Sequence, residues 1–100
     1  MHSVWIRFKD QVKADERNSI FADIVALKKL LPGIVDIKTG RNVSPEGLHA
    51  GFEDGFVVTF VDEEARDRYL VHPDHKLAGA RLVDAAEGGL SGLLVFDLAL

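Results

Sequence analysis

The sequence predicts an α+β fold in which four strands and two helical regions follow one another as β-α-β-β-α-β. Three observations predict it. Apolar residues alternate with a period of two over His2 to Lys9 and Val35 to Thr39, and short, nearly continuous apolar runs stand at Phe56 to Phe60 and Leu93 to Leu98, both patterns of strands. Between the first two of these segments the spacing switches to that of a helix, with Ile20, Ile24, Leu27 and Leu31 on one stripe. Pro32-Gly33 and Gly88-Gly89 then punctuate the chain where helices must end.

The first strand is expected over His2 to Lys9, where Val4, Ile6 and Phe8 share one face and Trp5, Arg7 and Lys9 the other. A helix follows from about Ala14 to Leu31, with Asp15 and Glu16 at its positive end and Phe21 and Leu30 widening the stripe. Val35 to Thr39 alternates again. A long polar loop runs from Gly40 to about Asp54, and loops of this length in compact domains are commonly functional or partner-facing. Phe56 to Phe60 forms the third strand. Asp62 is placed to cap a short helix reaching about Val71, with Glu63 and Glu64 in its first turn. Pro73 interrupts the chain there, and Asp74 is expected to cap a further helix carrying Leu77, Ala80 and Leu82 or Val83. Leu93 to Leu98 is the last strand.

This order is the ferredoxin-like arrangement: an antiparallel four-stranded sheet with its helices on one face. In a monomer the other face should be polar. Instead Phe56, Val57, Val58 and Phe60 run together, as do Leu93, Leu94, Val95, Phe96 and Leu98. One layer of helices cannot cover both sides of such strands. The expected solution is a homodimer through the sheet face, two sheets closing a barrel-like core in a symmetric contact.

Composition bounds the function classes. The 100 residues are 47% hydrophobic and 28% charged, which suits one globular domain. A formal net charge of −4 leaves no basic stripe to neutralise phosphates, so nucleic acid is not an expected partner. There is no cysteine, hence neither a disulfide framework nor thiolate chemistry. No apolar run approaches the roughly 20 residues that span a bilayer, and the amino terminus lacks the pattern of a signal peptide. The expectation is a cytosolic protein without membrane association.

Chemistry-bearing residues concentrate in Tyr69-Leu70-Val71-His72-Pro73-Asp74-His75. His75 is the leading candidate, since an imidazole with an ordinary pKa of about 6.5 can take up and return a proton near neutrality. The plainer role for it is to hydrogen-bond a carbonyl beside Pro73. Tyr69 lies on the preceding helix, where its hydroxyl either orients His75 or sits at a rim above a packed ring. His2 shares the face of Val4, Ile6 and Phe8 near a strand start, where partial exposure is easy. His72 is expected to pack or to face solvent. A metal site at His72 and His75 lacks the three or four convergent ligands that zinc takes. The long loop has no phosphate-binding glycine spacing, and Ser44 has no neighbouring base.

Several segments together resemble the stress-responsive dimeric α/β-barrel family. They are His2-Ser3-Val4-Trp5-Ile6-Arg7-Phe8-Lys9-Asp10, Leu31-Pro32-Gly33-Ile34, Gly40-Arg41-Asn42-Val43-Ser44-Pro45-Glu46-Gly47, Gly55-Phe56-Val57-Val58-Thr59-Phe60 and the heptapeptide. They span essentially the whole chain in order. The resemblance implies a ferredoxin-like protomer in a dimeric barrel, on a fold that carries cofactor-free monooxygenases, small-molecule binders and plant stress proteins. A polyketide-cyclising member has a catalytic histidine that resembles His75, a supporting tyrosine that resembles Tyr69 and a pocket histidine that resembles His2. Its second pocket tyrosine falls on Ile24 here, so that polar contact is missing. The implied pocket has His2, Tyr69 and His75 as polar groups and Ile24, Val4 and Phe8 or Phe60 as apolar walls. In the enzyme reading His75 moves a proton next to a carbonyl, Tyr69 holds the developing oxyanion, and no metal or organic cofactor is needed. In the alternative class, a non-catalytic binding or scaffold protein, the same segment is structural.

Overall fold

Hydrophobic alternation and helix punctuation produce the expected order of elements. The computed structural model describes residues 1–99: β1 (His2–Ile6), α1 (Ala14–Leu30), β2 (Ile34–Arg41), β3 (Asp54–Phe60), α2 (Glu63–Val71), α3 (Pro73–Ala85) and β4 (Leu93–Asp97), with a 3₁₀ turn at Gly89–Gly92 leading into the last strand. The strands form one antiparallel sheet in the order β2-β3-β1-β4. First and last strands are therefore neighbours, and His2 stands opposite both Val58 and Asp97.

The helices cover one face. Val4 and Ile6 of β1, Ile37 of β2, and Phe56 and Val58 of β3 point into a core closed by Ile20, Phe21, Ile24 and Leu27 of α1, Tyr69 of α2, and Ala78 and Leu82 of α3. Each fully buried large aliphatic contributes on the order of 1.5–3 kcal/mol. This burial sets the register, because a slip of one residue would turn every such side chain outward.

The helix ends follow local chemistry. Asp15 and Glu16 sit in the first turn of α1 and Lys28 and Lys29 in its last, each suited to the adjacent end of the helix dipole. Beyond the C-cap Leu31, Gly33 adopts φ +94°, and a Cβ there would stand 2.6 Å from that of Ala65. Only glycine meets both demands. Asp62 caps α2 as expected, its Oδ1 accepting from the Ala65 N–H at 2.8 Å. Asp62→Ala should lower stability by about 1 kcal/mol, read as a drop in the urea midpoint with an unchanged slope.

Two expectations are corrected. The loop after β2 is shorter than Gly40 to Asp54, because Gly40 and Arg41 pair with Gly55 and Asp54 and extend both strands. Arg41 Nε lies 3.2 Å from Oδ1 of the buried Asp54, so ladder bonds and an ion pair outweigh the low strand propensity of glycine. Asp74 does not cap α3. His72 does, its Nδ1 accepting from the Asp74 N–H at 3.1 Å, with Pro73 in the first turn, where its missing N–H costs nothing.

The opposite face of the sheet is open. Trp5, Leu94 and Phe96 are exposed there, and Val95, on the helix side of β4, is exposed as well. The two-sided apolar character expected of the strands is thus strongest at β4, an edge strand that the helices leave largely bare. In β3 it is milder, since Phe56 and Val58 are buried and Val57 and Thr59 half-buried.

Candidate functional site

Three elements bring His2, Tyr69 and His75 together. β1 supplies His2 at its first position, α2 supplies Tyr69 two residues before its end, and α3 supplies His75 in its first turn. The Tyr69 ring lies 4.2 Å from that of His75, 5.9 Å from that of His2 in an edge-on arrangement, and 5.1 Å from that of Phe60, centroid to centroid. Val4 and Ile24 are buried in the adjoining core. Phe8 lies beyond the far end of β1, about 20 Å along the strand from His2, and packs on Phe21 at 5.7 Å instead. It is not brought into this cluster.

His2 is 3% exposed, against the expectation of partial exposure. The reason lies in β4, whose pairing with β1 sets Asp97 beside it. His2 Nδ1 and Asp97 Oδ1 are 2.8 Å apart. A carboxylate only accepts, so Nδ1–H is the donor and the tautomer of His2 is fixed. Asp97 was not singled out in the sequence. The available signal was the combination of a terminal acid on β4 with the adjacency of first and last strands, a pairing that no local pattern reveals.

Among the described residues Tyr69 is the largest fully buried side chain, at 1% exposure, and its hydroxyl has no hydrogen-bond partner among them. Burial pushes its pKa up to about 12, so the phenol keeps its proton throughout the physiological range. The rim position that a helix tyrosine commonly adopts is excluded. A buried hydroxyl without a partner costs about 1–3 kcal/mol, a penalty that a suitably placed ligand oxygen or water removes.

His75 is half-buried, and its Nδ1 lies 3.2 Å from the Leu70 carbonyl. The bond arises from the break between α2 and α3. In a continuous helix the Leu70 carbonyl would accept from the Asp74 N–H, but that N–H is taken by His72. His75 satisfies the stranded carbonyl instead. A carbonyl only accepts, so Nδ1 carries the proton and Nε2 of the neutral ring keeps its lone pair. Burial holds the imidazole below its ordinary pKa. The Leu70 bond opposes this, and the nearby His2, His72 and Lys76 add to the lowering. The neutral His75 ring is therefore held in one tautomer with Nε2 free of the Leu70 bond, and His72 is a helix cap. Among the described residues no group of three or more histidine, aspartate and glutamate side chains is placed to hold a metal ion.

Two surface cavities flank the sheet. One, of about 420 Å³, is lined by Met1, Phe60, Arg66, Asp97 and their neighbours, and touches the cluster through Phe60 and Asp97. The other, of about 620 Å³, lies under the β2–β3 loop. Neither is lined by His2, Tyr69 or His75 themselves.

Residues 1–99 match the family model of the stress responsive A/B barrel domain. The chain belongs to that family. Among solved A/B barrel and ferredoxin-like structures, it is similar to a dimeric ferredoxin-like protein of unknown function from Jannaschia sp., at 33% identity and TM-score 0.91, covering 99% of this chain and 96% of that one. Among family relatives it is 27% identical to olivetolic acid cyclase of Cannabis sativa over 96% of this chain and 91% of the cyclase. It is 29% identical to the stress-response A/B barrel domain-containing protein HS1 of Arabidopsis thaliana, over 96% and 84% respectively.

Proposed function

We propose that this A/B barrel protein binds a small apolar molecule bearing a carbonyl or hydroxyl oxygen, with that oxygen hydrogen-bonded to Tyr69 between His2 and His75. The observation that carries the reading is the buried, unpartnered Tyr69 hydroxyl, flanked by two imidazoles whose Nδ1 atoms are both engaged elsewhere. Val4, Ile24 and Phe60 are the apolar walls. The cavity at Phe60 and Asp97 is the approach from solvent. The functional unit is a homodimer through the open sheet face. Exposed Trp5, Leu94 and Phe96 support this, as does the dimeric Jannaschia relative.

The test is a panel of phenolic ketones and matched hydrocarbons of the same shape. Present at about 100 times its Kd, a ligand adds about 2.7 kcal/mol of stability. That is a rise in melting temperature of roughly 10 °C or more for a domain of this size. Oxygenated members should produce it and hydrocarbons should not. Equal shifts from both, or none from either, would sink the reading.

A second reading is favoured by the His75 tautomer. With Nδ1–H held by Leu70, Nε2 can remove a proton from the carbon next to a bound carbonyl, while Tyr69 donates to the enolate oxygen that forms. Return of the proton from His75, or attack of the enolate on a second carbonyl of the same molecule, completes an exchange or an aldol closure. The likeness to olivetolic acid cyclase supports this chemistry. Ile24 stands where that cyclase, which this chain resembles, carries a second pocket tyrosine, and this argues for a substrate of different polarity.

A further inference from the structure

His72 closes α2 and opens α3. Its N–H donates to the Tyr69 carbonyl at 3.2 Å, and its own carbonyl accepts from the Lys76 N–H at 3.1 Å. The side chain adds a third bond, Nδ1 accepting from the Asp74 N–H at 3.1 Å. Together these hold the first turn of α3, which starts at Pro73. His75 lies inside that turn. The cap therefore also fixes where His75 Nδ1 meets the Leu70 carbonyl, 3.2 Å away, and where its ring meets that of Tyr69.

Histidine is an uncommon residue for this position. Serine, threonine, aspartate and asparagine lead at N-caps, and their oxygen atoms accept at neutral and mildly acidic pH alike. A histidine accepts at Nδ1 only while its ring is neutral with the proton on Nε2, and the imidazolium has two donors and no acceptor. Protonation would thus set one N–H against another at the present distance. A substitute partner is already in place, because Asp74 Oδ2 lies 3.8 Å from the same Nδ1. The His72 side chain is about one-third exposed, so protons reach it from solvent.

The surrounding charges do not oppose this change. They are Asp74, His75 and Lys76 on α3, Arg68 in the last turn of α2, and His2 on β1 across the Tyr69 ring. Among these Asp74 alone is anionic, and it favours the turned ring through a charge-assisted bond. A positive charge on His72 would stand at the unfavourable end of α3 and the favourable end of α2, so the two helix dipoles offset. The hydrogen bonds decide.

We infer that His72 is a positioning residue and the acid-sensitive catch of the site. While neutral it holds His75 against Leu70 and Tyr69. Once protonated it turns to Asp74, the Asp74 N–H loses its acceptor, and the first turn of α3 comes loose with His75 in it. The effect on a ligand rests on the reading of Tyr69 and His75 as one site, whereas the hydrogen bonds are independent of that reading.

The test compares the native chain with His72→Asn and His72→Ala by NMR of nitrogen-15-labelled imidazoles, between about pH 8 and pH 5. Asparagine caps through Oδ1 over this whole range. In the native protein the His75 Nδ1–H signal, sheltered by Leu70 at pH 8, should be lost in step with the protonation of His72, read from its own ring nitrogens. In His72→Asn the signal should persist, because a charged His75 still donates from Nδ1 to the same carbonyl. In His72→Ala it should be weakened even at pH 8. Loss at the same pH in the native and asparagine proteins would overturn the inference. So would a native signal that survives the charging of His72, or an undiminished one in His72→Ala. The ligand measurement uses 4-hydroxyacetophenone. Acidification should raise its Kd more in the native protein than in His72→Asn, by roughly 2- to 30-fold, the range that loss of an N-cap spans. Equal weakening in both would overturn the inference. A ketone that binds neither protein at pH 8 would remove the ligand reading, and the nitrogen signals would still decide the role of His72.

Discussion

Tyr69→Phe should leave the folded protein as stable as before or more stable, by up to about 1–3 kcal/mol, while removing the melting-temperature response to oxygenated ligands. Both halves come from one atom. The hydroxyl is buried without a partner, so deleting it relieves a desolvation cost and leaves no orphan behind. The ring still fills its site against His2, Phe60 and His75. Tyr69→Ala, by contrast, opens a cavity and should cost about 3–5 kcal/mol. An alkaline signature accompanies this. The phenol's pKa is raised to about 12 in the fold, against about 10 in the unfolded chain. The folded state therefore holds a proton that the unfolded state loses, and stability falls as pH rises from 10 towards 12. Tyr69→Phe should abolish that step. Chemical denaturation at pH 7 and pH 11 measures both effects, and a phenylalanine variant less stable at pH 7 would show that the hydroxyl has a partner within the protein.

Much of this site was legible in the sequence, and what was missed has a common cause. Period and punctuation are local, so the strands, the helices and the Asp62 cap follow from residues within a few positions of one another. The grouping of Tyr69 and His75 is nearly local, because one proline fixes the turn between them. The partner of His2 is not local. Asp97 reaches it only because β1 and β4 are neighbours, and the burial of His2 follows from that pairing. Phe8 shares the face of His2 by parity, but parity carries no information about distance along the strand. The caps at the helix break were misassigned for another reason. Asp74 and His72 both suit the position chemically, and the choice depends on where Pro73 places the first helical turn. Two of the three residues in the cluster thus acquire their tautomers from atoms that no motif names, the Asp97 carboxylate and the Leu70 carbonyl.

His75→Asn should separate the two jobs of this histidine. Asparagine can place its amide nitrogen near the position of Nδ1 and keep the hydrogen bond to Leu70, but it has nothing in place of Nε2. Stability at pH 8 should change by less than ~1 kcal/mol, whereas the rate of deuterium exchange at the carbon next to the carbonyl of a bound ketone should fall by about 10²–10⁴-fold. His75→Ala should lower both, because the Leu70 carbonyl then loses its partner. The pH dependence has a definite sign. Burial, only partly opposed by Leu70, lowers the pKa of His75 in the fold below its ordinary value of about 6.5. Above that value the ring is neutral in both states and the full stability is present. As pH falls below it the unfolded chain takes up the proton first, and stability is lost until the folded ring also protonates. With the folded ring as the proposed base and the His72 cap in place, exchange should decline only below the lowered folded value. His75→Asn should flatten the part of the stability profile that this ring contributes. Undiminished exchange in that variant, measured by NMR on the bound ketone, would remove His75 as the base and leave it as the residue that ties α3 to the end of α2.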